Sequence, residues 1–598
     1  MKSQIVLWKM IAIDFAVRCR TTTTKDWETV LSRYKHEGLS FLTITLPSFG
    51  KDFQKSLDQG LVDRNMFQGF SWHAGLPRFL GGFLDLVFDR DSGVLLDDPD
   101  IDAILAVRQL TLLFSKILLP CSDAREREAM SEYIECDRQV KLSDANLSSS
   151  DIEDFKRVSQ LLFRDLFNDL DRQIYFGELI PRHGPGATAD KLRGNGKYRL
   201  NVWTDRLEEY FPACDYLFPN ARYVHEGAVT YLEPGSEQPV RVISVPKTQK
   251  TPRIIAVEPT AMQYAQQAVM QSMIQHISGS YLNMFIGTSD QTHNQRLARE
   301  GSRTGSLATL DLSEASDRVS NQLVRHLLSN NPLLQGAVES CRSRRADVPG
   351  HGVIRLAKFA SMGSALTFPI EAMVFLTICF LGVERELNTR FTKVSQIKRY
   401  LDQVRVYGDD IIVPTDSVHS VTHVLSLFGA KVNMAKSFWI GRFRESCGKE
   451  YYDGHDVTAV KVRRVFPHVR KHAPEVISTV SLANQLFKAG CWGTTKWLDS
   501  QLEEMLTHYP VVEESSPALG RFSFLGYETQ RECEHLHRPL VKGYVVNAVL
   551  PSDPLDGHGA LLKVLLKQGT QPSADKNHLR RAGRPRRVDI KPRWVTPY

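Results

Sequence analysis

The spacing of apolar positions changes period several times along the chain, and each change marks an element. Phe155, Val158, Leu161, Leu162, Leu166 and Leu170 recur at helical spacing. Ser150 and Glu153 stand in the spacing of a capping box, which predicts a helix start in the serine run 148–150. Residues 240–257 alternate as a strand does, and Glu258-Pro259 then precedes a helix rich in Ala, Gln and Met. Leu307 to Leu312 and Gln403 to Val413 are further strand candidates, separated by helices. The second is broken by Tyr407-Gly408-Asp409-Asp410 between two β-branched runs, which predicts a hairpin presenting two carboxylates at its tip. The glycine-rich, basic stretch from Pro181 to Tyr198 reads as a loop. The longest apolar run, Ile370 to Leu381, contains Glu371 and falls short of the roughly 20 residues needed to cross a bilayer as a helix, so no membrane span is expected.

Composition narrows the class. With 598 residues, 42% hydrophobic and 24% charged, the chain is too long for a small module and too apolar to be mostly disordered. The N-terminal stretch is interrupted by Lys9 and Asp14 and lacks a small-residue cleavage site, so no signal peptide and a cytosolic setting are expected. Nine cysteines are scattered without a CxxC pair, which fits separate reduced thiols better than a disulfide framework or a structural zinc site. The net charge of +7 is compatible with a polyanionic partner but unremarkable at this length. The arginines of the 578–594 segment are interrupted by Gly583 and Pro585, and predict a tail poorly ordered in isolation.

Candidate chemistry sits on the strands. Adjacent carboxylates such as Asp409 and Asp410 repel each other, and a bound divalent metal relieves that cost; an Asp-rich turn is the plain alternative. Asp311 ends the upstream strand candidate, with Glu314 and Asp317 following, and an oxygen-rich site of this kind suits Mg²⁺. Arg241, Lys247, Lys250 and Arg253 lie on or beside the alternating stretch, where they could hold phosphates or form a solvated strand face. The glycines of residues 181–198 do not match a Walker A loop, which argues against a P-loop NTPase.

The segments HGPGAT, DLSEASD, SMGSALTFPIE, YGDDIIV and GRFRESCG, in that order between about His183 and Asp456, resemble the replicase catalytic subunit of single-stranded RNA bacteriophages, the levivirus-type RNA-directed RNA polymerases. The resemblance implies a nucleotidyltransferase of α+β class with a right-hand architecture. It makes Asp311, Asp409 and Asp410 the catalytic, metal-binding residues, serving two Mg²⁺ ions for which Mn²⁺ can substitute. It places Asp317 near the ribose, Ser361, Gly363, Ser364 and Thr367 at the template–nucleotide pair, and Arg241, Lys247, Lys250 and Arg253 at the triphosphate. Lys436, in LFGAKVNMAKSFW, is a candidate general acid toward pyrophosphate or an ordinary exposed lysine. His183, Arg444 and the basic stretch with Arg463, Arg464, Arg470 and Lys471 are candidate RNA contacts, each with a structural alternative; Cys447 lacks a His partner and reads as packing.

The order of motifs implies an N-terminal region over 1–180 bridging fingers and thumb, and fingers over 181–299. Palm pieces are expected over 300–330 and 355–458 around an insertion at 331–354, then a thumb over 459–570 and the basic tail over 571–598. The substrates implied are ribonucleoside triphosphates, a single-stranded RNA template and nascent RNA, with primer-independent initiation. The partners implied are host elongation factors Tu and Ts, ribosomal protein S1 and, for some templates, a host RNA-binding factor. The setting is the cytoplasm of the infected bacterium, with no membrane role. A reverse transcriptase is the nearest alternative, but Leu312-Ser313-Glu314-Ala315-Ser316-Asp317 supplies no bulky aromatic after Asp311 to exclude a ribose 2′-hydroxyl. An inactive RNA-binding scaffold would be expected to have lost one of the three aspartates, and all are present.

Overall fold

The computed structural model describes residues 2–225, 229–550, 552–568 and 587–598. The fold is mixed α/β. Its centre is an antiparallel sheet in which Asp410–Pro414 lies between Arg405–Tyr407 and Leu307–Ser313, with Lys431–Val432 on the far edge. Both faces of this sheet are covered, which is why Leu307 to Leu310 form a continuous apolar-rich run rather than a clean alternation. Ala308, Leu310, Leu312, Ile411 and Val413 enter the largest core, against the helix Thr367–Glu386. Leu307 and Ile412 point the other way and meet Leu297 of the helix Thr292–Thr304.

Thr367–Glu386 is apolar on every side, as a fully buried helix must be. By length and composition it could cross a membrane, a property that the shorter run Ile370 to Leu381 did not show, but 89% of its most apolar window is buried inside the protein. The helix Ser149–Tyr175 packs across it, and its start differs from expectation. Ser148, not Ser150, is the N-cap and accepts the Asp151 amide, because the helix already begins at Ser149.

Residues 240–257 do form the expected strands. Val240–Val245 and Arg253–Val257 pair antiparallel, and Val240–Val245 also runs parallel to Arg345–Val348, giving a second four-stranded sheet. The loop joining the two strands is clasped by the N-terminal part of the chain: Thr43 bonds the Gln249 side chain, Arg125 donates to the Gln249 carbonyl (3.0 Å), and Cys121 donates to that of Thr248 (3.1 Å).

A second core joins the helices Lys2–Arg18, Leu46–Gln59 and Ile101–Leu112 to Ala473–Lys488 and Trp492–Met505, so the two ends of the chain pack together. Asp14 caps the last of these helices by accepting the Gly493 and Thr494 amides. Arg580, Arg581, Arg584 and Arg586 of the basic tail lie outside the described residues. Its remainder departs from the expected loose arm: Arg587–Val595 is a strand paired with Pro539–Val549, buries Ile590, and sets Trp594 under the Arg531 guanidinium at 4.2 Å. What holds it is the ladder itself, nine residue pairs from Val541–Val595 to Val549–Arg587, with Ile590 as its one buried side chain.

Candidate active site

A cleft of about 800 Å³ opens at the end of the central sheet. Tyr407 pairs with Asp410, leaving Gly408 and Asp409 as a two-residue hairpin loop. Gly408 has φ +61°, the backbone that the first loop position of a tight hairpin needs, and a side chain there would press on Phe368 at 3.1 Å. Asp410 pairs in turn with Asp311 across the ladder. Directly opposed residues project to the same face, so both carboxylates leave the sheet on the side away from the Thr367–Glu386 helix, and Asp409 stands exposed at the tip beside them.

The electrostatics are those of crowded carboxylates. Burial, then Asp409, Glu445 and Asp311, push the Asp410 carboxyl up to about 7, although it accepts the Cys447 amide at 3.1 Å. Desolvation in the cleft and then Asp311 raise Asp409. Glu371 is driven well above the usual carboxylate range by burial, then by Asp409 and Asp317. Asp311 is held by Asn433 Nδ2 (2.8 Å) and by the Lys436 ammonium (3.2 Å). Burial would lower the Lys436 pKa, but Asp311, Glu445 and Asp409 together raise it.

Among the described residues, no three His, Cys, Asp or Glu side chains form a ready-made metal-ligand group. The donor chemistry of Asp311, Asp409 and Asp410 nevertheless fits a hard divalent cation: all three supply carboxylate oxygens, and their mutual repulsion is what such a charge would relieve.

Most residues expected around the nucleotide do come together. Lys247 and Arg253 face the carboxylates across the cleft, and Asp317, Gly363, Ser364, Thr367 and Lys436 line it. Gly363, at φ +136°, lies so close to Ala256 that an added Cβ would fall 1.9 Å from its carbonyl oxygen, which locks the Ser361–Thr367 turn onto the basic strand. Ser361 sits just behind the wall and donates to Asp317 at 2.7 Å.

Other expected residues do not join the site. Arg241 does not line the cleft; it is half-buried in its strand, with Nε unbonded. Lys250 is exposed on the loop beyond the cleft lining. Arg444 is not placed to contact RNA: it is fully buried and spends its guanidinium on the carbonyls of Leu307 (2.6 Å), Gly441 and Phe443. His183 stacks on Tyr264 at 4.1 Å and meets Tyr198 edge-on, which favours the loop-holding alternative; burial, then Lys197, lower its pKa to about 3. Arg463, Arg464, Arg470 and Lys471 are exposed outside the cleft lining, and Arg470 leans on Tyr544.

Two cations near the cleft were not legible in the sequence. Burial, then Lys247, Lys461, Lys436 and Arg463, lower the Lys116 pKa to about 8. Lys51 is lowered by burial, then by Lys250 and Lys436. Neither makes an ion pair among the described residues. Lys51 arrives on the helix Leu46–Gln59 and Lys116 on the turn after Ile101–Leu112, neither within a motif, brought in by the clasp on the 246–252 loop and by the Val462 to Leu113 and Leu118 to Arg463 backbone bonds. Glu371 did carry a signal, as the one acid within the run Ile370 to Leu381.

Residues 225–480 match the family described as RNA replicase, beta-chain. The chain is 34% identical over 304 residues to the RNA-directed RNA polymerase beta chain of Enterobacteria phage fr, covering 50% of this chain and 49% of that one. It is 38% identical over 224 residues to the RNA-directed RNA polymerase subunit beta of Qbeta virus (strain MX1), covering 37% and 35%. It is 36% identical over 224 residues to the corresponding beta chain of Escherichia phage MS2, covering 37% of each. The alignments thus span at most about half the length of these relatives. Among solved structures, the BmCPV RNA-dependent RNA polymerase at elongation state aligns with a TM-score of 0.38 at 10% identity, over 58% of this chain and 33% of that one, a likeness too low to carry weight.

Proposed function

We propose that this chain, which closely matches the levivirus-type RNA-directed RNA polymerase beta chains through its central segment, is the catalytic subunit of a replicase that copies a single-stranded RNA phage genome from ribonucleoside triphosphates. The observation that carries this reading is the Asp311–Asp410 register, with Asp409 at the adjoining tip and Lys247 and Arg253 across the cleft. Three carboxylates facing two phosphate-binding cations is the arrangement that nucleotidyl transfer requires.

Asp311, Asp409 and Asp410 would hold the divalent ions, Mg²⁺ or Mn²⁺. When bound, such ions activate the attacking 3′-hydroxyl and neutralise charge on the departing pyrophosphate. Lys247 and Arg253 bind and orient the triphosphate through charge-assisted hydrogen bonds. Asp317 accepts from the ribose, while Gly363, Ser364 and Thr367 shape the seat of the template–nucleotide pair. Lys436 holds an ammonium proton at the same wall, beside Asp311. Nothing bulky stands at Leu312 to Asp317 to exclude a 2′-hydroxyl, so ribonucleotides are the substrates.

In this reading the central sheet and its helices are the palm of a right hand. The sheet with Val240–Val245 belongs to the fingers, and the helices from Ala473 onward begin the thumb. The enzyme initiates without a primer and works in the bacterial cytoplasm with elongation factors Tu and Ts, ribosomal protein S1 and, for some templates, a further RNA-binding factor. The test is ribonucleotide incorporation on single-stranded RNA with Mg²⁺, by the chain alone and with those host proteins, beside a D409N variant. Incorporation that needs Asp409 supports the reading; a D409N variant as active as the parent overturns it.

A further inference from the structure

Asp317 reaches the cleft with its two carboxylate oxygens in different situations. Oδ1 accepts from Lys358 Nζ at 3.1 Å and from Ser361 Oγ at 2.7 Å. Oδ2 has no hydrogen-bond donor among the described residues and belongs to the side chain that lines the cleft. One oxygen is anchored and the other is left to accept from a ligand.

The anchor is built from a part of the chain with no recognised motif. Lys358 is fully buried. Its ammonium also donates to the Tyr133 carbonyl at 3.2 Å and lies 3.6 Å from the centre of the Tyr133 ring. Tyr133 OH is 3.0 Å from Ser361 Oγ. Because the serine has one proton and gives it to Asp317, the tyrosine must donate to the serine, so the chain of bonds runs one way, from Tyr133 through Ser361 to the carboxylate. One turn further along the same helix, Asp137 accepts the backbone amides of Ala357 (2.9 Å) and Lys358 (3.0 Å), which fixes the lysine at its root. Burial alone would weaken the ammonium, but Asp317, Tyr133 and Cys136 together keep its pKa above the ordinary lysine value.

With Oδ1 taken by two donors, the oxygen left facing the cleft is an acceptor, so what it selects is a donor. On the polymerase reading, on which this inference rests, the donor that separates the two kinds of nucleotide is the ribose 2′-hydroxyl. We propose that Lys358 and Tyr133 are positioning residues that fix Asp317 in a single accepting orientation and thereby set the discrimination between ribo- and 2′-deoxyribonucleotides. Lys358 does not line the cleft, and Tyr133, though part of its wall, is buried with its hydroxyl spent on Ser361; both act through Asp317. Without Lys358, Asp317 would lose its ion-pair partner and one of the two donors that hold Oδ1, and its side chain would be free to turn away.

The test compares kcat/KM for a ribonucleotide and its 2′-deoxy counterpart in the full chain, with its host proteins, for the parent, Lys358→Met and Tyr133→Phe. Lys358→Met is expected to lower ribonucleotide incorporation on the order of 10²-fold, as for other losses of positioning, and to leave deoxynucleotide incorporation little changed. Tyr133→Phe, which keeps the ring under the ammonium and loses only the hydroxyl, is expected to shift the ratio the same way by less. If both variants slow the two substrates equally, their role is structural and the proposal falls. Should Lys358→Met fail to fold, an unmoved ratio in Tyr133→Phe overturns the proposal by itself. A parent chain that incorporates no ribonucleotide overturns the polymerase reading, and this inference with it, an outcome distinct from an active enzyme whose ratio does not move.

Discussion

Asp410 stands directly across the antiparallel ladder from Asp311, so two carboxylates about a hundred positions apart in sequence leave one face of one sheet side by side. Substituting either residue with Asn, or Asp409 with Asn, keeps the side-chain volume and removes the charge. On the polymerase reading, each change is expected to reduce RNA synthesis by at least about 10²-fold, since it would remove electrostatic stabilisation at the reacting centre. RNA affinity, measured by filter binding, should stay close to the parent value, because the basic surfaces are untouched.

The cations opposite the carboxylates should divide by position. If they hold the triphosphate as proposed, Lys247→Ala and Arg253→Ala would each remove a charge-assisted contact of roughly 1.5–3 kcal/mol and should raise the nucleotide KM on the order of 10- to 100-fold. Lys116→Ala should have a smaller effect that fades at high salt, since Lys116 contributes field rather than a wall of the cleft. Steady-state kinetics at two ionic strengths separates the two behaviours.

Arg444 and Arg463 carry the same charge and should fail in opposite ways. Arg444→Met strands the buried carbonyls of Leu307, Gly441 and Phe443, and should destabilise the fold by about 3 kcal/mol, seen as a lower melting temperature. The exposed Arg463, Arg464 and Lys471 can be replaced by Ala with little change in melting. If RNA runs over that stretch, each replacement should flatten the salt dependence of single-strand affinity by about 0.7 in the log–log slope.

Glu258 provides a pH test away from the carboxylate cluster. It is buried against Ser343, and burial raises its pKa to about 7 despite the hydrogen bonds from Ser343 and Gln266 and the charge of Arg342. A carboxyl with a raised folded pKa binds its proton more tightly in the native state, so its stabilising effect is present at low pH. That effect is lost as pH rises from about 4.5 to about 7. The gap in stability between Glu258→Gln and the parent should therefore widen across that window, towards about 3 kcal/mol in favour of the variant. Denaturant melts at several pH values measure the gap directly, and a gap that does not change with pH would contradict the raised pKa.

The sequence by itself determined the elements whose chemistry is local. Gly408 between β-branched runs specified the hairpin, strand alternation specified Val240–Val245 and Arg253–Val257, and the motif order pointed to Asp311, Asp409, Lys247 and Arg253 before any contact was known. Tertiary structure decided what depends on which surfaces meet. It buried Arg444 behind the sheet, stacked His183 on Tyr264 with Tyr198 edge-on, and turned the end of the basic tail into a strand. It also brought Tyr133 into the wall of the central cleft and set Asp137, Lys116 and Lys51 behind or beside it, from segments without a motif. Arginine and lysine read alike along a chain; whether a cation meets solvent, a carbonyl or a carboxylate is fixed only when long-range packing chooses its neighbours and removes its water.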